Sequence, residues 1–372
     1  MAIIPLDCRH VKNSAFMNKS LSELLSIKSS NVNILKFICA LLVIIGHAGS
    51  ITGDEIAFPT EFGGCICGPG GFAVSVFFFF SGLYVTKSLA RTSNLKSYIV
   101  KRAERIFPQL IVVVFLSAFV LGPVLTNLGL AAYFTSGSTY LYLLNAVLIP
   151  IHNLPGVFET LPYQTVNGPL WTLPVEFACY LMLWGISLVL VLISHSKTRS
   201  NLSDIIDSKG FRILSWIAGV LAILIFVAVY AVIENEFFVS VIRPAIIFVE
   251  GSMFYLYRDK ITVNPIAGTV AAVCLIISLL IGWFSIGMIL FLPYMVLCLT
   301  LGLPQIKADW TVFKLSYEMY LLGWPIQQIL MSVFKGNMSA LMNILITIPF
   351  DILLAYILYR CSNALMKCIQ RV

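Results

Sequence analysis

The stretch NILKFICALLVIIGHAGS, residues 33–50, settles the class of fold. As a helix it approaches the roughly 30 Å thickness of a bilayer's hydrocarbon, and it carries one charge, Lys36, and one further ionisable group, His47. Lys36 and His47 stand eleven positions apart. That is close to three helical turns, so the two side chains share a face about 16 Å apart along the axis. Lys36 falls near the charged end of this helix, where it can snorkel, and His47 lies well toward the other end. Ionisable groups inside a bilayer are costly, so a functional reading of such a residue comes first.

The rest of the chain repeats the pattern. Hydrophobic residues make up 59% of it and charged residues 11%, a balance foreign to a soluble domain. Apolar runs near 20 residues predict ten spans, at 33–50, 70–89, 107–125, 169–194, 212–232, 237–256, 264–282, 284–302, 315–333 and 338–359. The segment 138–151 is apolar but short, and reads as re-entrant or interfacial. The expected fold class is all-α, a polytopic transmembrane helix bundle of about ten spans with both termini cytoplasmic. Residues 1–32 read as a cytoplasmic tail, 33–359 as one membrane domain and 360–372 as a second cytoplasmic tail. The first 30 residues lack an apolar core, so they do not read as a cleavable signal peptide.

With the N-terminus inside, only Arg243 and Lys335 of the 24 basic residues face outward, which satisfies the positive-inside rule. The net charge of +7 thus reflects orientation, and nothing points to nucleic acid. The outer connections at 51–69 and 126–168 carry Asp54, Glu55, Glu61 and Glu159. The second is long for a bundle and rich in Pro, Gly and aromatics, the mark of a functional loop. Of nine cysteines, Cys39, Cys179, Cys274 and Cys298 lie in spans and read as small packing residues. Cys8, Cys361 and Cys368 fall inside, in reducing surroundings. Cys65 and Cys67 are too close for a relaxed bridge and too few for zinc, so a structural role is expected.

Four polar clusters interrupt the spans. The first is Lys36 with His47; its bland alternative is a lysine marking the interface and a histidine bonded to a neighbouring helix. The second is Arg102 with Arg105, three apart and so neighbours on one helical face. Paired guanidinium groups suit phosphate oxygens, although a plain inner-face anchor or a lipid-headgroup contact would look the same. The third runs from Asn167 through Trp171 to Glu176 and Tyr180. Glu176 lies at a depth comparable with His47, where a carboxylate could orient the imidazole or pair with Arg243 as a structural bridge. The fourth, Ser316 to Pro325, places Tyr317, Tyr320 and Trp324 at i, i+3, i+7, a stripe that is more often packing than a substrate platform. Pro325 should kink the helix or free a carbonyl, which is tolerated where neighbouring groups re-satisfy it.

Together and in this order, the clusters resemble the acyltransferase-3 family of integral membrane acyltransferases over residues 33–359. Lys36 and His47 resemble its basic-x10-His signature, and Gly71 to Gly82 its Gly-Val-x-x-Phe-Phe-x-x-Ser-Gly block. Arg102 and Arg105 resemble its Arg-x-x-Arg motif, Leu170 to Glu176 its Leu-Trp-Ser-Leu-x-x-Glu, and Ser316 to Pro325 its Ser-Tyr-x-x-Tyr-Leu block. Two positions depart from the pattern. Lys36 stands where arginine is commoner, and Gly323 where many members carry a histidine.

The resemblance implies a membrane-bound O-acyltransferase of the bacterial cytoplasmic (inner) membrane. It would move an acyl group, expected to be acetyl from cytoplasmic acetyl-CoA, to a hydroxyl of a lipid-linked or surface polysaccharide such as lipopolysaccharide O-antigen, with no metal. His47 would be general base or covalent acyl carrier, with Glu176 orienting it or the acceptor. Lys36, Arg102 and Arg105 would hold the CoA phosphates, and Trp171, Ser316 and Tyr317 would bind substrate. A secondary transporter, or a membrane subunit of a polysaccharide-assembly complex with a dead site, remain as alternatives. The absence of an internal repeat and a single deep acidic residue weigh against transport.

Overall fold

The computed structural model describes residues 19–54, 68–92, 94–193, 202–228, 236–307 and 310–369. Glu55, Glu61, Cys8, Cys65 and Cys67 lie outside the described residues. The chain is an all-α bundle, and all ten apolar segments are helical over most of their described length. Among the described residues, six helices are long and apolar enough to cross a membrane, or seven if one bent pair counts as a span.

A short strand β1 (Lys19–Ser20) leads into α1 (Leu21–Ser26), then α2 (Ser30–Thr52), α3 (Gly68–Ala90) and α4 (Leu95–Leu116). There follow α5 (Thr172–Ile193), α6 (Lys209–Ala228), α7 (Glu236–Leu256), the strand β2 (Thr262–Val263) and α8 (Pro265–Leu280). Next, α9 (Phe284–Leu290) bends by 54° into Leu292–Gly302. The last two helices are α10 (Ser316–Val333) and α11 (Ala340–Ile369). The apolar run at 284–302 is therefore a broken helix, and α8 has only 16 residues, short of a full hydrocarbon thickness.

Capping sets the ends of α2. Ser29 accepts from the Val32 amide, and Gly53 closes the helix with φ of 74°. Near its C-terminal end α2 crosses α3 at Gly46, where a Cβ would meet the Gly70 amide at 2.7 Å. Lower down, α3 and α7 touch backbone to backbone: a Cβ at Gly82 would strike the Phe248 carbonyl, and one at Gly251 the Phe79 carbonyl. Apolar lipid gives helices no hydrophobic reason to associate, so such close contacts and their dispersion energy hold the bundle together.

The stretch 19–28, expected as part of a tail, is folded against the bundle. β1 pairs antiparallel with β2, and Leu21, Leu24 and Leu25 are buried. Lys87 Nζ donates to the Leu25 carbonyl at 2.5 Å, and Asn31 and Gln305 join the start of α2 to the 303–306 turn. These contacts gather the connections after α3, α7 and the broken helix, together with the N-terminal segment, at one end of the molecule. At the chain's other terminus, α11 continues past 360 to Ile369.

The long connection at 126–168 is ordered. Residues 137–147 form two short helical turns ending at Leu148 in the left-handed region, so this segment does not span. Tyr133 Oη donates 2.7 Å to the Ala118 carbonyl in a π-helical turn at 117–121. Leu130, Phe134, Leu141 and Val147 are exposed, an apolar face suited to the membrane interface.

Candidate active site

Two cavities lie one above the other in the bundle. The smaller, called inner after the orientation expected from the charge pattern, has about 50 Å³ and is lined by Lys36, Arg105, Glu176, Ser316 and Tyr317 among others. The outer, of about 470 Å³, takes in His47, His152, Tyr163, Trp171, Arg243 and Trp324, a volume typical of small-molecule sites. Lys36 and His47 thus line different chambers from a single continuous helix. The ladder spacing seen in the sequence is the spacing between the chambers.

Lys36 does not snorkel. Its Nζ sits over the rings of Phe80 and Tyr84, at 5.6 and 5.7 Å from their centroids, a cation–π cradle on α3 that holds the ammonium within the bundle. Arg105 shares the inner chamber with it. Arg102 points elsewhere: its Nη2 donates to Ser88 Oγ at 3.3 Å, and its guanidinium lies 5.9 Å from the ring centroids of both Tyr98 and Tyr180. Lys36 and Arg105, and not the expected pair of arginines, are the cations that line this chamber.

Glu176 also differs from expectation. Its carboxylate accepts from Ser81 Oγ at 2.6 Å and from the Tyr180 hydroxyl, and Ser81 and Tyr180 lie 3.0 Å apart. Neither the pairing with His47 nor the bridge to Arg243 is present. Glu176 lines the inner chamber, while His47 and Arg243 line the outer, and Arg243 donates to Ser285 at 3.1 Å. The Ser81–Gly82 dipeptide thereby does two jobs, one residue holding Glu176 and the next letting α7 approach.

The imidazole of His47 is placed by packing. Its ring meets Trp324 edge-on, with centroids 4.8 Å apart and planes at 71°, and Gly70 offers no side chain beside it. Trp324 in turn is fixed by the outer loop: its Nε1 donates to the Thr165 carbonyl at 2.9 Å, and Tyr163 meets its ring at 5.2 Å. Gln328 Nε2 bonds the carbonyls of Tyr163 and Thr165 at 2.7 and 2.9 Å. Pro325 has no amide for the carbonyl of Leu321, and Asn167 Nδ2 supplies the missing donor at 2.9 Å.

The aromatic stripe on α10 climbs the same axis. Tyr317 lines the inner chamber, Trp324 the outer, and Tyr320 both. Trp171 lines the outer chamber, whereas Ser316 and Tyr317, expected with it on substrate, line the inner one. Sequence reading missed His152, Tyr163 and Thr165, for which the only signal was the length and aromatic content of their loop. It also missed Ser81, which lies 95 positions from the carboxylate it holds. Among the described residues no group of three His, Cys, Asp or Glu gathers as a metal site.

The chain has recognisable relatives. An O-acetyl transferase of Shigella phage Sf6 is 24% identical over 316 residues, covering 82% of this chain and 86% of that protein. Nodulation protein 10 of Rhizobium leguminosarum bv. viciae is 31% identical over 165 residues, 41% of this chain and 43% of that protein. No solved structure matches. The model of an acyltransferase domain (Acyl_transf_3) matches residues 29–360, nearly the whole chain, and the chain therefore belongs to the acyltransferase-3 family.

Proposed function

We propose that this protein transfers an acetyl group from cytoplasmic acetyl-CoA to a hydroxyl of a lipid-linked or surface carbohydrate, such as lipopolysaccharide O-antigen, in the bacterial inner membrane. The observation that carries the reading is the pair of stacked chambers, cationic below and histidine-bearing above. In the proposed topology the chain spans ten times with both termini cytoplasmic. Lys36 and Arg105 then face the compartment that holds CoA. The gathering of the N-terminal segment with the connections after α3 and α7 at one end supports that orientation.

In this mechanism, Arg105 and Lys36 attract the anionic end of the donor, and the thioester reaches upward. A sugar hydroxyl in the outer chamber lies against Trp171, whose ring suits a pyranose face. His47 takes the hydroxyl proton as the oxygen attacks the thioester carbonyl. The carbon–sulfur bond breaks, the electron pair stays on sulfur, and the proton on His47 passes to the thiolate. Ester and free CoA leave on opposite sides. Glu176, bonded to Ser81 and Tyr180, acts on the donor side, where its charge offsets one of the two cations.

The test is His47→Ala in a strain deleted for the chromosomal copy, read by mass spectrometry of surface glycans. The expected result is loss of the acyl mass with the protein still inserted at wild-type level. Retained acylation would remove His47 from the reaction. Substrate flux without acyl turnover would favour a transporter instead.

A further inference from the structure

The two chambers are separated by a wall of three side chains, and that wall has a structure of its own. Val74 from α3, Thr172 from α5 and Tyr320 from α10 line both cavities. Thr172 Oγ1 and Tyr320 Oη are 2.7 Å apart, and each also reaches the Pro169 carbonyl, at 3.1 and 3.0 Å. The Tyr320 ring is braced edge-on by Phe77, with centroids 6.1 Å apart. Two sides of the opening are thus pinned by hydrogen bonds, and the third is the apolar branch of Val74. Below the wall the volume open to the centre of a water molecule is about 50 Å³, against about 470 Å³ above it, so the path is far narrower on the lower side.

We infer that Val74, Thr172 and Tyr320 form the acyl-length selector of the enzyme, a fixed aperture that passes a two-carbon acyl group and resists longer ones. The inference rests on the proposed donor path, in which the thioester comes from the chamber of Lys36 and meets the acceptor in the chamber of His47. Any acyl group on that path crosses this plane. Its two polar members satisfy each other and the Pro169 carbonyl, so opening that side breaks hydrogen bonds in a dry site. Val74 is held only by packing, which makes it the member whose size can be varied with least disturbance.

The experiment uses permeabilised membrane vesicles from the deletion strain, complemented with wild-type or variant protein. They are supplied separately with acetyl-, propionyl- or butyryl-CoA, and acyl groups on the vesicle glycans are counted by mass spectrometry. Val74→Ala removes two methyl groups from the rim and should raise the butyryl-to-acetyl ratio by about tenfold or more, given that one methylene is commonly discriminated by roughly 10–200-fold. Val74→Leu should lower the propionyl-to-acetyl ratio, and opposite signs at one position are something misfolding does not produce. Tyr320→Phe, which keeps the ring but loses the latch, should shift the ratio in the direction of Val74→Ala and provides an independent reading. Acetyl transfer retained with unchanged ratios in all three variants would overturn the selector alone. Well-inserted variants that lose transfer from every donor would overturn it too, by making these residues part of the chemistry. A wild-type protein that transfers no acyl group from any of the three donors would overturn the proposed function and the selector with it.

Discussion

Asn167→Ala tests how the family-like block at 167–176 is wired to the proline-containing helix α10. Pro325 removes the amide that would bond the Leu321 carbonyl, and Asn167 Nδ2 replaces it at 2.9 Å in a fully buried site. Losing that donor forfeits about 1 kcal/mol of hydrogen bond and strands a buried carbonyl at a cost of about 1–3 kcal/mol. The same substitution also removes Asn167 Oδ1, a buried acceptor with no hydrogen-bond partner among the described residues, which returns a cost of similar size. The single variant therefore shows a net loss of only about 0–2 kcal/mol, too ambiguous to stand alone. A double-mutant cycle separates the terms. Pro325→Ala restores the backbone amide, so the Leu321 carbonyl regains an intrahelical partner and no longer depends on Asn167. Equilibrium unfolding in detergent should give a coupling energy of about 1 kcal/mol, with Asn167→Ala milder in the Pro325→Ala background. Equal costs in both backgrounds would refute the assignment of Asn167 to the proline-freed carbonyl.

Two further comparisons, each of a pair of variants, test the arrangement. Arg105→Ala should raise the acetyl-CoA concentration for half-maximal transfer about tenfold or more, as loss of a charge-assisted contact implies. Arg102→Ala, which loses contacts to Ser88, Tyr98 and Tyr180, should mainly lower thermal stability; a donor titration and a melting curve on the same samples would show whether the two roles divide this way. Gly82→Ala drives a Cβ into the Phe248 carbonyl and should cost several kcal/mol by parting α3 from α7. Gly185→Ala, with nothing within 4 Å of the new atom, should be neutral or slightly stabilising, and an unfolding comparison of the two checks the packing.

How much of this was legible in the sequence follows from which forces act locally. Helix positions were legible because a bilayer demands long apolar runs, and the ten segments read from composition are helical in the structure. Their lengths were less so: the break near Phe291 and the short α8 depend on neighbours, and hydropathy does not register neighbours. Single-helix geometry was also legible. The face shared by Lys36 and His47, and that of Tyr317, Tyr320 and Trp324, follow from 3.6 residues per turn. What a face meets is a tertiary question, and there the reading erred in an instructive way. From sequence Glu176 reads equally as a partner of His47 or of Arg243, because all three are ionisable groups toward the same end of the spans. The structure gives it to Ser81 and Tyr180, hydroxyls that are individually unremarkable in a sequence.

The same distinction explains the site. Each of α2, α3, α5 and α10 contributes residues to both chambers, so the motifs on these four helices report a vertical path as well as a residue, while the arginine motif on α4 serves the inner chamber alone. Eleven positions separate Lys36 from His47, and seven separate Tyr317 from Trp324. On α3, Gly70 lines the outer chamber, Val74 the wall and Phe77 the inner chamber. A motif of this kind constrains the distance between two half-sites facing different compartments. An insertion of one residue between Lys36 and His47 would rotate His47 by about 100° away from the chamber while leaving composition, hydropathy and both residues intact. The spacing, more than either residue's identity, is what the fold converts into a route between the two chambers.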